Sequence, residues 1–376
     1  SNSMPGGTWS SGNTGVAAIN TATGVTTGIT PGTATITYTL ATGCSTTTVV
    51  TVNALPPAIT GTTAVCSGLT ASLTNTATGG TWSSSALSVV AIGSGTGIYT
   101  GLAAGTSTIT YTATTGCMAT IVVTVNLLPP AISGPSSVCH GAQITLTNSG
   151  GTWASSNSTV ATIHPATGIV TGLTTGTTII TYTVGTGCFS TTTITVNPLP
   201  SAISGITNVC PASTVALSNS GGGTWGTLNS SVATAGLSTG IVTGISAGTA
   251  EITYKLSTGC TTSVIVTVNP LPAPITGAFR VCAGLTTALS NATPGGTWTS
   301  APTFVATVDA TTGVATGIAA GTATIVYTIG TGCSASATLT VDALPATVTG
   351  STNVCAGATT LFSSSGSGTW SSSNTT

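Results

Sequence analysis

The chain has 376 residues, of which only two are basic and three acidic, whereas about a quarter of the residues in an ordinary protein are charged. It has no basic patch to bind nucleic acid, and no apolar run approaches the 18 residues that would predict a membrane span. A nearly neutral surface of Thr, Ser, Asn, Gly and Ala lacks the self-repulsion that keeps proteins apart, so we expect the chain to associate with copies of itself.

The sequence repeats about every 72 residues, and five series of residues keep this period, which indicates one small module copied in tandem. Two series are aromatic and two are cysteines, and the fifth is a Leu-Pro pair. The tryptophans of the Gly-Thr-Trp segments are Trp9, Trp82, Trp153, Trp225, Trp298 and Trp370, and the tyrosines are Tyr38, Tyr111, Tyr182, Tyr254 and Tyr327. The Thr-Gly-Cys cysteines are Cys44, Cys117, Cys188, Cys260 and Cys333, and the Val-Cys cysteines are Cys66, Cys139, Cys210, Cys282 and Cys355.

These series divide the chain into two partial and four complete repeats. The predicted boundaries are repeat 1 (1–53, partial), repeat 2 (54–126), repeat 3 (127–197), repeat 4 (198–269), repeat 5 (270–342) and repeat 6 (343–376, partial). The segments 1–13 and 363–375 lie at the same phase of the period, and the first residues do not resemble a signal peptide. We therefore expect the sequence to be a part of a longer chain.

Repeat 2 shows the predicted elements in chain order. Leu55-Pro56-Pro57 is a stiff connector, because proline fixes its own φ and disfavours helix in the residue before it. Short alternating segments separated by glycine-rich turns follow, and they predict strands at 58–65, 70–76, 81–84, 89–92, 98–100, 106–112 and 117–125. About seven short strands with turns every 8–12 residues are typical of an all-β, antiparallel sandwich. The periodic tryptophans and tyrosines are then predicted to be core anchors.

The ten cysteines, two in each period, predict disulfides and an oxidising compartment. The predicted topology places Cys66 and Cys117 at opposite ends of one module, about a strand length apart, which is too far for a bond. It therefore favours bonds between successive repeats: Cys66–Cys188, Cys139–Cys260 and Cys210–Cys333, with partners for Cys44, Cys117, Cys282 and Cys355 outside the sequence. Pairing within a repeat and free thiols stay open as alternatives.

A resemblance to a known family covers every repeat and is clearest in repeat 3. The strings 152–157, 160–163, 168–173, 176–177 and 180–182 are similar to the bacterial immunoglobulin-like domain of group 2. The two cysteines of each period are outside the usual pattern of that family, and they resemble the cysteine-bearing repeats of giant surface proteins in gliding and other secreting bacteria. The resemblance implies a tandem array of immunoglobulin-like sandwiches in an extracellular stalk or adhesin at the bacterial cell surface, without implying a ligand.

The sequence offers little chemistry for catalysis, because its few titratable side chains are scattered over different repeats. There is no Cys-x-x-Cys, and His140 and His164 do not recur between repeats, so no enzyme activity, cofactor or metal site is expected.

The leading hypothesis is an elongated rod that serves as the shaft of a bacterial surface filament or giant adhesin and is stiffened by periodic disulfides. The alternative is an array that binds glycans or proteins, for which Tyr99, Phe189, Phe279 and Phe304 are the non-periodic aromatic candidates. Expected partners are copies of the chain, with surface glycans or proteins under the alternative. We also expect residues 1–53 to be completed by residues like 344–376, supplied by the preceding part of a longer chain or by a neighbouring subunit.

Overall fold

A computed structural model describes residues 6–365 and 368–374. The predictions for residues 1–5, 366–367 and 375–376, at or near the ends of the two partial repeats, lie outside the described residues. The chain divides into two compact units, Ser1–Val196 and Asn197–Thr376. Within the described ranges the regular structure is entirely β, because β-branched Thr, Val and Ile favour strands and the frequent glycines interrupt any helical period.

The first unit begins with repeat 1, which has two small sheets, ordered β1-β4-β5 and β2-β3. Its strands are β1 (Thr8–Ser11), β2 (Ala17–Ile19), β3 (Thr26–Gly28), β4 (Gly32–Thr39) and β5 (Ser45–Val52).

Repeat 2 is a complete sandwich of two four-stranded sheets, ordered β10-β11-β8-β6 and β7-β13-β12-β9. Its strands are β6 (Thr60–Gly61), β7 (Ala64–Cys66), β8 (Thr70–Thr74), β9 (Thr81–Ser84), β10 (Val90–Ile92), β11 (Ile98–Gly101), β12 (Gly105–Thr112) and β13 (Met118–Asn126). Repeat 3 completes the unit with sheets β14-β20-β19-β16 and β15-β18-β17. Its strands are β14 (Ser137–Cys139), β15 (Gln143–Thr145), β16 (Gly151–Ser155), β17 (Ala161–Ile163), β18 (Ile169–Gly172), β19 (Gly176–Val184) and β20 (Phe189–Asn197).

The second unit holds two further complete sandwiches, each with two four-stranded sheets. Repeat 4 contains β21 (Ser204–Gly205), β22 (Asn208–Val209), β23 (Thr214–Ser218), β24 (Thr224–Thr227), β25 (Ala233–Ala235), β26 (Ile241–Gly244), β27 (Gly248–Lys255) and β28 (Thr261–Val268). Repeat 5 contains β29 (Thr276–Gly277), β30 (Arg280–Cys282), β31 (Thr286–Ser290), β32 (Thr297–Ala301), β33 (Ala306–Val308), β34 (Val314–Gly317), β35 (Gly321–Thr328) and β36 (Ser334–Asp342).

The all-β fold of tandem sandwiches is confirmed, but the first strand of each sandwich differs from the prediction. Instead of one edge strand over 58–65, the chain breaks after β6 and changes sheets, so that β6 pairs with β8 while β7 pairs in parallel with β13. Gly61 permits the break: its φ is +129°, and a Cβ there would lie 2.4 Å from the Ser72 carbonyl oxygen. Edge strands on both sheets therefore come from one short segment.

Each complete repeat has its own core between its two sheets. In repeat 2 this core includes Leu73, Ile109 and Val123, which are at most 1% exposed, whereas the outward residues of the same strands are mostly threonines and serines. The burial of β12 alternates residue by residue over its C-terminal part, as the period of two in a strand requires. Each of these hydrophobic cores is thus made of residues from a single repeat.

Candidate functional site at the junctions between repeats

The cysteines lie at the two ends of each sandwich. Cys66 ends β7 and lies beside Asn126, the last residue of β13, whereas Cys117 precedes the first residue of the same strand. A nine-residue strand is about 30 Å long, so the two thiols of one repeat lie far outside bonding distance. This placement rules out the alternative of pairing within repeat 2.

Disulfides connect successive repeats within each unit. Cys66 is bonded to Cys188, with 5.7 Å between the Cα atoms, and the bond links repeats 2 and 3. Cys210 is bonded to Cys333, with 5.6 Å between the Cα atoms, and the bond links repeats 4 and 5. Both pairings are the ones that the topology predicts. The bonds close chain separations of 122 and 123 residues, so the same connection recurs in each unit.

The other cysteines divide into two groups. Cys139 and Cys260 are both disulfide-bonded, and their pairing with each other stays a prediction. Four cysteines that the sequence predicts to be in disulfides are free thiols in this structure. These are Cys44, Cys117, Cys282 and Cys355.

The free thiol of Cys117 lies in the same local position as the disulfide-bonded sulfur of Cys333. The Cys117 Sγ lies 3.9 Å from the carbonyl oxygen of Asn53, at the end of the preceding repeat. In the second unit the Sγ of bonded Cys333 lies 3.8 Å from the carbonyl oxygen of Asn269. Both contacts join residues 64 positions apart. Cys117, at the junction between repeats 1 and 2, therefore makes the same backbone contact as Cys333 makes at the disulfide-linked junction between repeats 4 and 5.

The Leu-Pro connectors provide a second attachment at the junctions. Pro129, between repeats 2 and 3, and Pro272, between repeats 4 and 5, are buried, while the leucines before them are 42% and 51% exposed. A buried proline with a fixed φ restricts the connector, and the nearby disulfide adds a covalent link. Each linked junction is therefore restrained at two points.

The predicted aromatic anchors occupy facing positions on neighbouring strands. In repeat 2, for example, Trp82 lies directly opposite Tyr111, with 4.8 Å between ring centroids, and comparable pairs occur in repeats 1 to 5. The tryptophans of repeats 2 to 5 and the tyrosines of repeats 1 to 5 are buried. Trp9 is half-buried. Trp370 departs from the predicted role because it is 61% exposed, and the sequence contains no tyrosine strand after it.

The tyrosine hydroxyl also fixes the loop before the tryptophan strand. The Tyr327 hydroxyl donates to the Thr293 carbonyl oxygen at 2.6 Å and accepts from the Gly296 N–H at 2.8 Å. The buried hydroxyl of Tyr182 has no partner in the structure. Repeat 3 has six residues between its core leucine and its tryptophan, whereas repeats 2 and 5 have eight, so its loop is too short to supply the carbonyl.

Removing these two hydroxyls should therefore have different effects. We expect Tyr327→Phe to lower the local stability of repeat 5 by about 1–2 kcal/mol, because two backbone groups lose their partner. Tyr182→Phe should leave repeat 3 unchanged or slightly more stable, because the hydroxyl it removes is buried and unpaired. Native-state hydrogen exchange in β35 and β19 measures both effects, and equal losses in the two variants would contradict the assignment.

The non-periodic aromatic residues do not share one role. Tyr99 is fully buried, its hydroxyl donates to the Thr62 carbonyl oxygen at 2.7 Å, and burial raises its pKa. Phe279 packs against the core of repeat 5. Phe189 and Phe304 are 52% and 71% exposed. Two of the four candidates therefore serve the cores, and two are available to a partner.

Several polar and charged side chains of the described ranges have structural partners. Arg280 and Asp342 form an exposed ion pair at 2.6 Å, and the hydrogen bond from Arg280 lowers the pKa of Asp342. The buried Ser107 hydroxyl is bonded to Ser84 at 2.8 Å, and it contacts the Ala86 N–H at 3.1 Å. Among the described residues there is no cluster of three His, Cys, Asp or Glu side chains suited to a metal ion. That part of the chain also has no helix with the length and hydropathy to span a membrane.

Comparisons with solved structures return proteins of low similarity to this chain. Examples are the human desmocollin-1 ectodomain (11% identity, TM-score 0.19, 90% of this chain and 92% of that one), the S-layer protein rSbsC(31-844) (18%, 0.20, 79% and 56%) and Drosophila N-cadherin EC1-4 (10%, 0.19, 75% and 98%). TM-scores this low carry no information on how the domains are arranged or on what the chain does. No curated protein matches the sequence.

The comparison with protein families gives a specific result for repeat 3. Residues 140–196, from just after β14 almost to the end of β20, match the family described as bacterial Ig-like domain (group 2). The resemblance seen in the sequence is thereby confirmed for repeat 3, and repeats 2, 4 and 5 have a similar pair of sheets and the same facing Trp–Tyr pair. Residues 140–196 are thus similar to the bacterial immunoglobulin-like domain of group 2, and they lie within a tandem array of similar all-β sandwiches.

Proposed function

We propose that the chain is the structural shaft of an extracellular bacterial surface filament or giant adhesin, stiffened by disulfides between successive repeats. The observation that carries this proposal is the recurrence of one covalent link, from the Val-Cys end of one repeat to the Thr-Gly-Cys hairpin of the next. Binding of a ligand at a single repeat would not require an equivalent disulfide between successive repeats in both units.

The disulfides act on the property that a shaft requires. Sandwiches joined by one peptide segment can bend at each junction, whereas a second covalent link limits bending and twisting. Each bond also closes a loop of more than 120 residues, which in the chain-entropy model destabilises the unfolded state by about 5 kcal/mol. The proposed role is structural and includes no catalytic step.

Disulfides and an immunoglobulin-like fold fit an extracellular protein. Placement at the bacterial cell surface belongs to the proposal and is supported by the neutral, threonine-rich composition, which favours association over dispersal. An adhesive role for the same array is the second candidate, and the exposed rings of Phe189 and Phe304 are the side chains through which it would act. Loss of binding to glycans or cells in a Phe189→Ala, Phe304→Ala double variant would favour that candidate.

Small-angle X-ray scattering on the oxidised chain tests the shaft. Each sandwich should be roughly 35–40 Å long, since its longer strands rise about 3.3 Å per residue and loops add the rest. We therefore expect a maximum dimension well above about 100 Å for the tandem repeats, and greater flexibility in a Cys66→Ser, Cys188→Ser variant. A compact particle, or identical scattering from the variant, would overturn the proposal.

A further inference from the structure

Three tripeptides of the form Asn-x-Ser/Thr lie within the described ranges, and this is the acceptor sequence for glycans attached to asparagine. They are Asn157-Ser158-Thr159 in repeat 3, Asn229-Ser230-Ser231 in repeat 4 and Asn291-Ala292-Thr293 in repeat 5. A chain this rich in serine and threonine contains such tripeptides by chance, so the tripeptide alone does not identify an acceptor. The surroundings of each side-chain amide distinguish the three.

Asn157 and Asn229 occupy the same exposed turn in successive repeats. Asn157 lies between β16 and β17, and Asn229 lies between β24 and β25. The Thr159 hydroxyl donates a hydrogen bond to the Asn157 Oδ1 at 2.7 Å, and the Ser231 hydroxyl donates to the Asn229 Oδ1 at 2.7 Å. Among the described residues, no group accepts a hydrogen bond from the Nδ2 of either asparagine. Each turn therefore uses the amide oxygen and leaves the amide nitrogen accessible.

Asn291 has a different environment, because its amide nitrogen holds the connector of repeat 5. Its Nδ2 donates to the Ala273 carbonyl oxygen, its Oδ1 accepts from the Thr293 N–H at 2.9 Å, and the side chain is half-buried. The Thr293 hydroxyl accepts from the Ala273 N–H at 2.8 Å. Asparagines of repeats 2, 3 and 4 make the same bond to a carbonyl oxygen 18 residues earlier, and these are Asn75, Asn148 and Asn219. Asn291 therefore belongs to a structural series.

Attachment of a glycan uses the amide nitrogen, so the two environments have opposite consequences. At Asn157 and Asn229 the turn is stabilised through Oδ1, and that bond persists when Nδ2 carries a sugar. The hydroxyl bond to Oδ1 also stabilises the deprotonated amide, which is the form whose nitrogen attacks. At Asn291 the nitrogen must first leave the Ala273 carbonyl oxygen, which would then lose its partner.

The composition of the chain gives such a modification a physical role. A surface built with two basic and three acidic residues has almost no charge repulsion between copies. A bulky, hydrated glycan on an exposed turn separates neighbouring surfaces without adding charge. The disulfides between repeats indicate an oxidising compartment outside the cytoplasm, which is where glycans of this kind are found on surface loops.

We propose that Asn157 and Asn229 are glycosylation sites, each with a saccharide attached through Nδ2, and that Asn291 stays unmodified in the folded chain. The equivalent turn positions of repeats 2 and 5 are Ala86 and Pro302, so among the complete repeats the modification is confined to repeats 3 and 4. The inference goes beyond the shaft function, because a stiff rod requires no modification of its surface.

The reaction transfers a saccharide whose anomeric carbon carries a diphosphate. The bond between the anomeric carbon and the diphosphate oxygen breaks, and the leaving diphosphate keeps the electron pair. Nδ2 forms a bond to the anomeric carbon and loses one proton, and no oxidant or reductant takes part. A polyprenyl diphosphate and a nucleoside diphosphate are the two sources of this leaving group.

The test is to incubate the folded, oxidised chain with a donor and its transferase in two separate arms. One arm contains a polyprenyl-diphosphate oligosaccharide and a membrane oligosaccharyltransferase, and the other contains UDP-glucose and a soluble N-glycosyltransferase. Peptide mapping should find Asn157 and Asn229 modified at least about tenfold more than Asn291 in one arm, and that arm identifies the source. Absence of modification at Asn157 and Asn229 in both arms, or an equal extent at Asn291, would overturn the proposal.

Two substitutions at one position test the role of the hydroxyl. Thr159→Ala should lower modification of Asn157 at least about tenfold, whereas Thr159→Ser, which keeps the hydroxyl, should restore it. Asn229 in the same molecules is the internal reference and should react as in the parent chain. Equal modification of Asn157 in the alanine variant and the parent would also overturn the proposal.

The reduced and unfolded chain tests the protection of Asn291. Unfolding breaks the bond from its Nδ2 to the Ala273 carbonyl oxygen, so Asn291 should then be modified as well. Failure of Asn291 to react there would show that its sequence rather than its bonded amide protects it, and would contradict the selection by structure. The scattering test of the shaft uses the unmodified chain, so the two proposals can fail separately.

Discussion

When the oxidised chain is pulled by its two ends, its maximum extension should be far shorter than the contour length of 376 residues. The Cys66–Cys188 and Cys210–Cys333 bonds bridge 122 and 123 residues, and the segment inside each loop carries no load while the bond is intact. A fully extended chain spans about 3.4 Å per residue, so reduction should add about 400 Å of contour length for each of these two bonds. This gain is larger than the expected length of several folded repeats.

Single-molecule force spectroscopy, with and without reductant, measures this gain directly. The Cys66→Ser, Cys188→Ser variant is the control, because part of the gain should appear in it without reductant. A reductant-independent contour length in the parent chain would show that the disulfides do not shield the repeats from force, and the proposed stiffening would then be wrong.

The second large effect concerns the aromatic core. Trp298 is 5% exposed and its ring packs 4.7 Å from Tyr327, so Trp298→Ala should destabilise repeat 5 by about 3–5 kcal/mol. That loss is a large part of the roughly 5–15 kcal/mol that stabilises a typical domain, and we expect repeat 5 to unfold locally.

Trp370→Ala is the matched control. Trp370 follows Gly-Thr as Trp298 does, but its side chain is 61% exposed. We expect a change within about 0.5 kcal/mol in the monomeric chain. Hydrogen exchange in β32 and β35 measures the loss in repeat 5, and melting curves compare the two variants. A small effect of Trp298→Ala would contradict its role as a core anchor.

The sequence was sufficient for features that depend on period and strand length. Alternation within each repeat predicted the strands of repeat 2, and most observed bounds lie within one or two residues of the predicted ones. The separation of Cys66 from Cys117 follows from the position of Cys66 at the end of the first strand and from the length of β13, and the pairing with Cys188 was predicted on that basis.

Features that depend on contacts between sheets were not predictable in the same way. Alternation around Gly61 cannot show that the chain changes sheets there, because the turn arises from one positive φ and from the close approach of Ser72. The parallel pairing of β7 with β13 was missed for the same reason. The unpaired Tyr182 hydroxyl could have been found, since the loop before Trp153 is visibly shorter than its counterparts.

The rarity of charge and the placement of the Cys210–Cys333 bond together affect how the chain withstands proteases. Enzymes that cleave after basic residues find only Lys255 and Arg280 in the whole sequence, and both lie inside the loop that this disulfide closes. A cut at either position leaves the two flanking pieces covalently attached, so the chain is nicked without being severed. For a protein exposed to secreted proteases, that arrangement would keep the array connected after a cut.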